Sequence, residues 1–147
     1  MLRNELQITL NDLIVACLEA ADGHEAAAEI LGDDPLAEAL RSLAGARRAL
    51  AGQLGEHLRA LGDLPSEPDA DLETVRELAA RVKAALSADH RRVLLDERSV
   101  AEAHLAAAAE AALAHGDLSD ATGALVRQVR DDAQAAQHHL ATLCPSG

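Results

Sequence analysis

Three clusters of turn-forming residues divide this chain into long segments that contain no proline. The clusters are Gly32-Asp33-Asp34-Pro35, the stretch from Gly62 to Pro68, and Gly116-Asp117. Glycine commonly follows the last turn of a helix, and proline is favoured at the first helical position. The spacing predicts one domain over residues 1–147, in which a crossover at 62–88 joins helical hairpins at 5–61 and 89–143.

The composition predicts an all-α fold. Hydrophobic residues make up 49% of the chain, mostly alanine and leucine, and there is no Phe, Tyr or Trp. Alanine and leucine are strong helix formers, whereas strands favour β-branched and aromatic residues. A core of such small residues requires helices that approach one another closely.

The length of the crossover predicts the topology. Each main segment spans about 26 residues and forms a helix of about 40 Å. The crossover has an irregular start and then a helical pattern over Asp71–Leu86, which together are long enough to travel the length of the bundle. The helices before and after it are then parallel. The alternative is that this short helix continues unbroken through Ser87 into the next helix, since no glycine or proline separates them.

Several short motifs along the chain carry a resemblance to a known superfamily. They are Leu10-Asn11-Asp12-Leu13-Ile14, Gly23, Ala27-Ala28-Glu29, Arg59-Ala60-Leu61-Gly62, Leu86-Ser87, Glu97 and Glu102. The chain resembles the ferritin-like superfamily, and within it a small bacterial family of four-helix bundles of unknown function. The resemblance implies a ferritin-like four-helix bundle with one long crossover that carries a short extra helix, and it implies no activity.

Ferritin-like di-iron proteins bind metal through one glutamate from each of two helices and a Glu-x-x-His pair from each of the others. No Glu or Asp in this chain is followed three residues later by His. Oxidative di-iron chemistry is therefore not expected. Candidate ligands for Fe or Zn in an incomplete site remain, and they are Glu19, His24, Glu97, Glu102 and His138.

In the one-crossover topology these polar residues form two sets. His24, Glu97 and His138 lie at one height, toward the Gly32 turn, where two imidazoles and a carboxylate suit a divalent ion. Near the middle lie Glu19, Arg47 or Arg48, Glu102, and Asp131 or Asp132, a set typical of an ion-pair network. Both sets are equally compatible with boundary positions and ordinary ion pairs.

Other kinds of chemistry find little support. The sequence contains no Gly-x-Ser-x-Gly elbow, no P-loop and no Gly-x-Gly-x-x-Gly. A net charge of −12 argues against nucleic acid and against anionic membranes. The N-terminal residues lack a signal-peptide layout, so we expect a cytoplasmic protein. Cys17 is expected to be a small core residue and Cys144 a free thiol.

These observations favour a non-enzymatic bundle with a structural or partner-binding role. The inward stripe predicted for the helix over residues 89–114 is Val93, Glu97, Val100, His104, Ala107 and Ala111. The alanine run from Ala106 covers more than one side of that helix, so a second side is free to pack against another copy, and we expect a homodimer. The alternative function is metal binding or storage. A small-molecule pocket between alanine-lined helices also stays open.

Overall fold

The computed structural model describes residues 4–66, 88–116 and 118–143. Four helices account for most of them: α1 (Glu5–Leu31), α2 (Pro35–Ala60), α3 (Ala88–Leu113) and α4 (Asp120–Leu143). No strand occurs within these ranges. The predicted all-α four-helix bundle is therefore confirmed, and the boundaries of the four main helices agree with the prediction to within a few residues.

Local residue chemistry explains where the helices begin and end. Asn4 and Gln7 form a capping box at the start of α1. Gly32 ends α1 with φ of 62°, and the Asp34 side chain accepts a hydrogen bond from the Leu36 amide at the start of α2. Gly62 and Gly116 also have positive φ, which glycine adopts without a steric cost.

Contacts between the helices define a four-membered ring in which each helix runs antiparallel to its two neighbours. Gln7 reaches the Leu61 carbonyl and Arg48 pairs with Asp22, so α1 and α2 are antiparallel. Arg91 near the start of α3 pairs with Asp34 at the start of α2, so α2 and α3 are parallel, as predicted. Around the ring the order is α1, α2, α4, α3, and α1–α4 and α2–α3 are the diagonals.

The connection between the two hairpins begins over the first hairpin. The amide of Ser66 donates a hydrogen bond to Asn11 Oδ1 of α1, which holds the end of the described segment against the bundle. The short helix predicted for Asp71–Leu86, and its predicted break from α3 near Ser87, lie outside the described residues.

The hydrophobic core is divided into two clusters along the bundle. The larger cluster contains most of the buried leucines, including Leu10, Leu54 and Leu105. The smaller one lies toward the Gly32 turn and includes Leu40, and its residues are Ala27, Ala28, Leu31, Ala37, Leu40, Leu95 and Leu140. On α1, α2 and α3 the boundary between the clusters falls at a polar layer, which is described below.

The inward stripe predicted for α3 is wrong. Its six residues are partly or fully exposed, with Val93 at 60% and Val100 at 54% of their reference areas. The face of α3 that points inward instead carries Leu95, Glu102, Leu105, Ala106, Ala109 and Ala112. Alanine occurs on both faces, so hydrophobic periodicity alone did not distinguish them. No helix in the described part of the chain combines the length and apolar character that a membrane span requires.

Candidate functional site

A layer of three polar side chains crosses the interior between the two hydrophobic clusters. His24 of α1, Arg47 of α2 and Glu102 of α3 are each at most 1% exposed. Each projects from a stripe of otherwise apolar residues, because i, i+3 and i+4 positions share one helix face. Arg47 is the largest fully buried side chain in the described part of the protein.

The ion pair between Arg47 and Glu102 forms the centre of this layer. Arg47 Nε donates to both carboxylate oxygens, at 2.9 Å and 3.1 Å. Arg47 Nη2 lies 2.8 Å from Glu102 Oε1. The guanidinium thus faces the carboxylate with two nitrogens, the geometry in which arginine pairs are strongest.

The layer connects all four helices. Arg47 and Glu102 belong to the diagonal pair α2 and α3, whose backbones do not touch. Arg47 Nη2 also donates to the backbone carbonyl of Asp132 in α4, at 3.3 Å. His24 of α1 completes the set, with Nε2 3.3 Å from Glu102 Oε1. One carboxylate and one guanidinium therefore hold the relative positions of every helix in the bundle.

The environment keeps Glu102 ionised. Burial alone would raise the pKa of this carboxyl, but hydrogen bonds from His24 and Arg47, together with the positive charge of Arg47, lower it below its usual value. The attraction compensates for the desolvation of both ions only while the pair is intact. Removing either partner leaves a buried charge without a counter-ion.

His24 has one satisfied and one unsatisfied ring nitrogen. A carboxylate only accepts hydrogen bonds, so Nε2 carries the proton that His24 shares with Glu102. Nδ1 is buried and has no hydrogen-bond partner among the described residues. The imidazole therefore acts as a donor to Glu102 and as a filler of the gap between the helices.

Cys17 lies on the same face of α1, two turns before His24. Its side chain is fully buried and its sulfur is a free thiol. Burial raises the pKa of Cys17 to about 12, with opposing contributions from the charges of Arg47 and Glu102. The thiolate, which is the nucleophilic form, is therefore unfavourable at neutral pH.

The family model described as "Domain of unknown function (DUF2383)" matches residues 6–115. The chain belongs to this family. The matched DUF2383 segment includes α1, α2 and α3, and therefore His24, Arg47 and Glu102, whereas α4 lies beyond it. The comparison with curated proteins and the comparison with solved structures gave no match. The ferritin-like relationship of this DUF2383 protein stays a prediction.

The structure brings together two of the five candidate metal ligands, His24 and Glu102. Glu19, Glu97 and His138 are exposed on the bundle surface and do not reach them. The polar layer also does not fit a metal ion, because the Arg47 guanidinium occupies both oxygens of Glu102. Among the described residues, no group of three or more His, Cys, Asp and Glu side chains is placed to hold a metal.

The predicted ion-pair network is confirmed in part. Arg47 and Glu102 form the pair at mid-bundle that the sequence suggested, and Arg48 instead binds Asp22 and Glu25 on the surface. The Asp132 side chain is exposed, and this residue contributes only its backbone carbonyl. His24 was assigned to a different layer, because the predicted heights along α1 and α3 were displaced by about one turn.

Proposed function

We propose that this protein is a non-enzymatic, ferritin-like helical bundle with a partner-binding role, and that its partner is a second copy of the same chain. The exposed face of α3 carries this proposal. The satisfied ion pair in the polar layer and the protonated Cys17 thiol support a structural use of the interior rather than a catalytic one. We therefore place the partner-binding role on the surface of the bundle.

The exposed face of α3 repeats like the seam of a coiled coil. Its residues are Val93, Glu97, Val100, His104, Ala107 and Ala111, separated by alternating steps of four and three. That spacing places them in one stripe along the helix, where a partner helix packs. Val93 and Val100 are more than half exposed on this stripe, and packing against a partner helix would remove their apolar surface from water.

The charges on this face suit an antiparallel second copy. A two-fold axis that passes between Val100 and Ala101 brings Glu97 opposite His104 of the partner subunit, since both lie equally far from the axis. The same operation brings Arg92 close to Glu110 of the partner subunit, on the other flank of the stripe. A two-fold interface requires such self-complementarity. The small side chains of Ala107 and Ala111 allow the two helices to approach closely.

Sedimentation velocity of the full-length protein tests the proposal. We expect a concentration-dependent dimer that Glu97→Lys weakens at least about tenfold, since the ammonium replaces the hydrogen-bond acceptor that faces His104 of the partner subunit. The double variant Glu97→Lys with His104→Glu restores the opposite pairing and should recover most of the affinity. Glu29→Lys, the same charge change at an exposed position of α1, serves as the matched control.

Two outcomes would contradict the proposed interface. The first is a monomer throughout the concentration range for the wild-type protein. The second is a dimer that Glu97→Lys and Glu29→Lys weaken equally, because a general charge effect would then explain the loss. Circular dichroism of each variant establishes that its helices are intact.

A further inference from the structure

A second arginine of the bundle, Arg98 of α3, is partly buried without a counter-ion among the described residues. Arg98 lies one turn before Glu102, and within the described residues it forms no hydrogen bond or ion pair. Its Nη1 atom is fully shielded from solvent and has no acceptor. A buried guanidinium donor without a partner is uncommon and costs free energy, so it calls for an explanation.

Gly23 of α1 creates the space that Arg98 occupies. The guanidinium lies directly against the Gly23 backbone, and a Cβ atom at this position would be 2.6 Å from Arg98 Cζ. That distance is too short for a non-bonded contact. Glycine in the middle of a helix is unfavourable by about 1 kcal/mol relative to alanine. The helix thus carries a local cost at a position where the guanidinium approaches α1.

The guanidinium borders a groove on the surface between α1 and α3. The groove has a volume of about 320 Å³. Besides Arg98, the groove is lined by two polar side chains, Glu19 and His104. Its apolar floor consists of Ala16, Ala20, Ala101 and Leu105. It combines one cation, one carboxylate and a small apolar surface, so an amphiphilic ligand of low negative charge fits it better than a highly charged one.

The surrounding charge favours a singly charged ligand. Burial lowers the pKa of Arg98, while Glu97 and Glu102 raise it through their charges without contacting it. Glu102 is already bound by Arg47 and His24, and Glu97 is exposed. A carboxylate matches the planar fork of one guanidinium in a bidentate pair. A phosphate dianion would require more positive charge than one arginine supplies among these glutamates.

We propose that the groove between α1 and α3 binds a small aliphatic carboxylate, whose carboxyl group pairs with Arg98 and whose carbon chain lies on Ala16, Ala20 and Ala101. Gly23 positions the guanidinium for this pair. The site uses residues of one chain only and is separate from the Arg47–Glu102 layer, because both oxygens of Glu102 are already bound.

Amide chemical shifts of the full-length, isotope-labelled protein test this site, with butyrate as the probe. We expect saturable shifts at Gly23, Ala20 and Ala101 with butyrate, and none with n-butanol or inorganic phosphate. Arg98→Gln should weaken butyrate binding at least about tenfold, since it removes a charge-assisted pair. Gly23→Ala displaces the guanidinium and should have the same effect without altering Arg98 itself.

Arg41→Gln is the matched control, because it removes an equal charge from an exposed position on α2. It should bind butyrate like the wild-type protein. The proposal is overturned if butyrate produces no saturable shifts, if Arg98→Gln binds it as well as Arg41→Gln does, or if phosphate saturates the same amides with equal affinity. Unchanged shifts of Leu10 and Leu54 in every variant establish that the core is intact.

Discussion

The charge of Glu102 acts on both Arg47 and Arg98, but only Arg47 contacts the carboxylate. Arg47 is almost completely buried, and Glu102 and the Asp132 carbonyl satisfy it. Arg98 is less buried but has no acceptor in the described part of the chain. The comparison teaches that burial alone does not assign a role to an arginine. The satisfied guanidinium of Arg47 joins helices, whereas the role of Arg98 depends on the ligand proposed for the groove between α1 and α3.

Replacing Arg47 should produce the largest effect on stability. Arg47→Met leaves Glu102 buried without its counter-ion, and we expect a loss of about 3–5 kcal/mol in the free energy of unfolding. Urea denaturation followed by circular dichroism measures this value. Arg41→Met, at an exposed position of the same helix, should change it by less than about 0.5 kcal/mol.

Removing both ions sharpens the test. The double variant Arg47→Met with Glu102→Leu replaces both ions by apolar groups of similar size and leaves only the His24 N–H without its acceptor, so we expect a smaller loss of stability than for Arg47→Met alone. Arg47→Met as stable as Arg41→Met would show that the pair contributes no more than a surface charge. Arg47 would then have no stabilising role to contrast with the role proposed for Arg98.

Acid should weaken the polar layer by a smaller amount. A carboxylate whose pKa is lower in the folded protein than in the unfolded chain stabilises the fold fully above the unfolded value, about 4.3 for glutamate. That stability is lost as the pH falls through the lowered pKa. We therefore expect the free energy of unfolding to decline below about pH 4.3, in part because Glu102 becomes protonated.

The double variant separates Glu102 from the other carboxylates. The decline between pH 4.3 and the acid limit of folding should be shallower in Arg47→Met with Glu102→Leu than in the wild-type protein. Glu29→Gln, which removes an exposed carboxylate, should retain the wild-type slope. Equal slopes in all three proteins would mean that Glu102 has the same proton affinity in both states.

The sequence predicted the four-helix fold and an ion pair at mid-bundle, but it did not reveal Arg98. Glycine–aspartate turns and helix lengths were sufficient for the four helices and for the parallel course of α2 and α3. The topology placed Arg47 or Arg48 beside Glu102 at mid-height, and the structure shows that Arg47 forms the pair. The inward face of α3 did not follow, since alanine surrounds that helix and the two valines at 93 and 100 occupy its exposed side.

Arg98 was not recognised, because an arginine on a helix is usually a solvated surface residue. The signal that pointed to it was Gly23, a glycine in the middle of a helix with no turn nearby. The signal is not specific, because a Cβ atom at Gly45 or Gly52, also inside a helix, would meet no atom within 4 Å. Which group approaches depends on the rotation of α3 about its axis, and the alanine-rich pattern left that rotation undetermined.

The smallest expected change in stability is that of Gly23→Ala, and it shows how strongly the protein holds the Arg98 guanidinium in place. Gly45→Ala on α2 meets no atoms within 4 Å, and it should stabilise the protein by about 1 kcal/mol through helix propensity. Gly23→Ala gains the same propensity but displaces the Arg98 guanidinium. With no acceptor to lose, that displacement should cost less than the gain, so we expect Gly23→Ala to be neutral or stabilising by up to about 1 kcal/mol.

Gly23→Ala combined with Arg98→Met completes a double-mutant cycle for this pair of residues. In the Arg98→Met background Gly23→Ala displaces no charge, and its effect should differ from that in the wild-type protein by less than about 0.5 kcal/mol. Urea denaturation of the four proteins measures this difference. A loss of more than about 1 kcal/mol for Gly23→Ala, relieved by Arg98→Met, would mean that favourable contacts hold the guanidinium in place. Arg98 would then resemble Arg47, and its availability to a carboxylate would no longer follow from its lack of a partner.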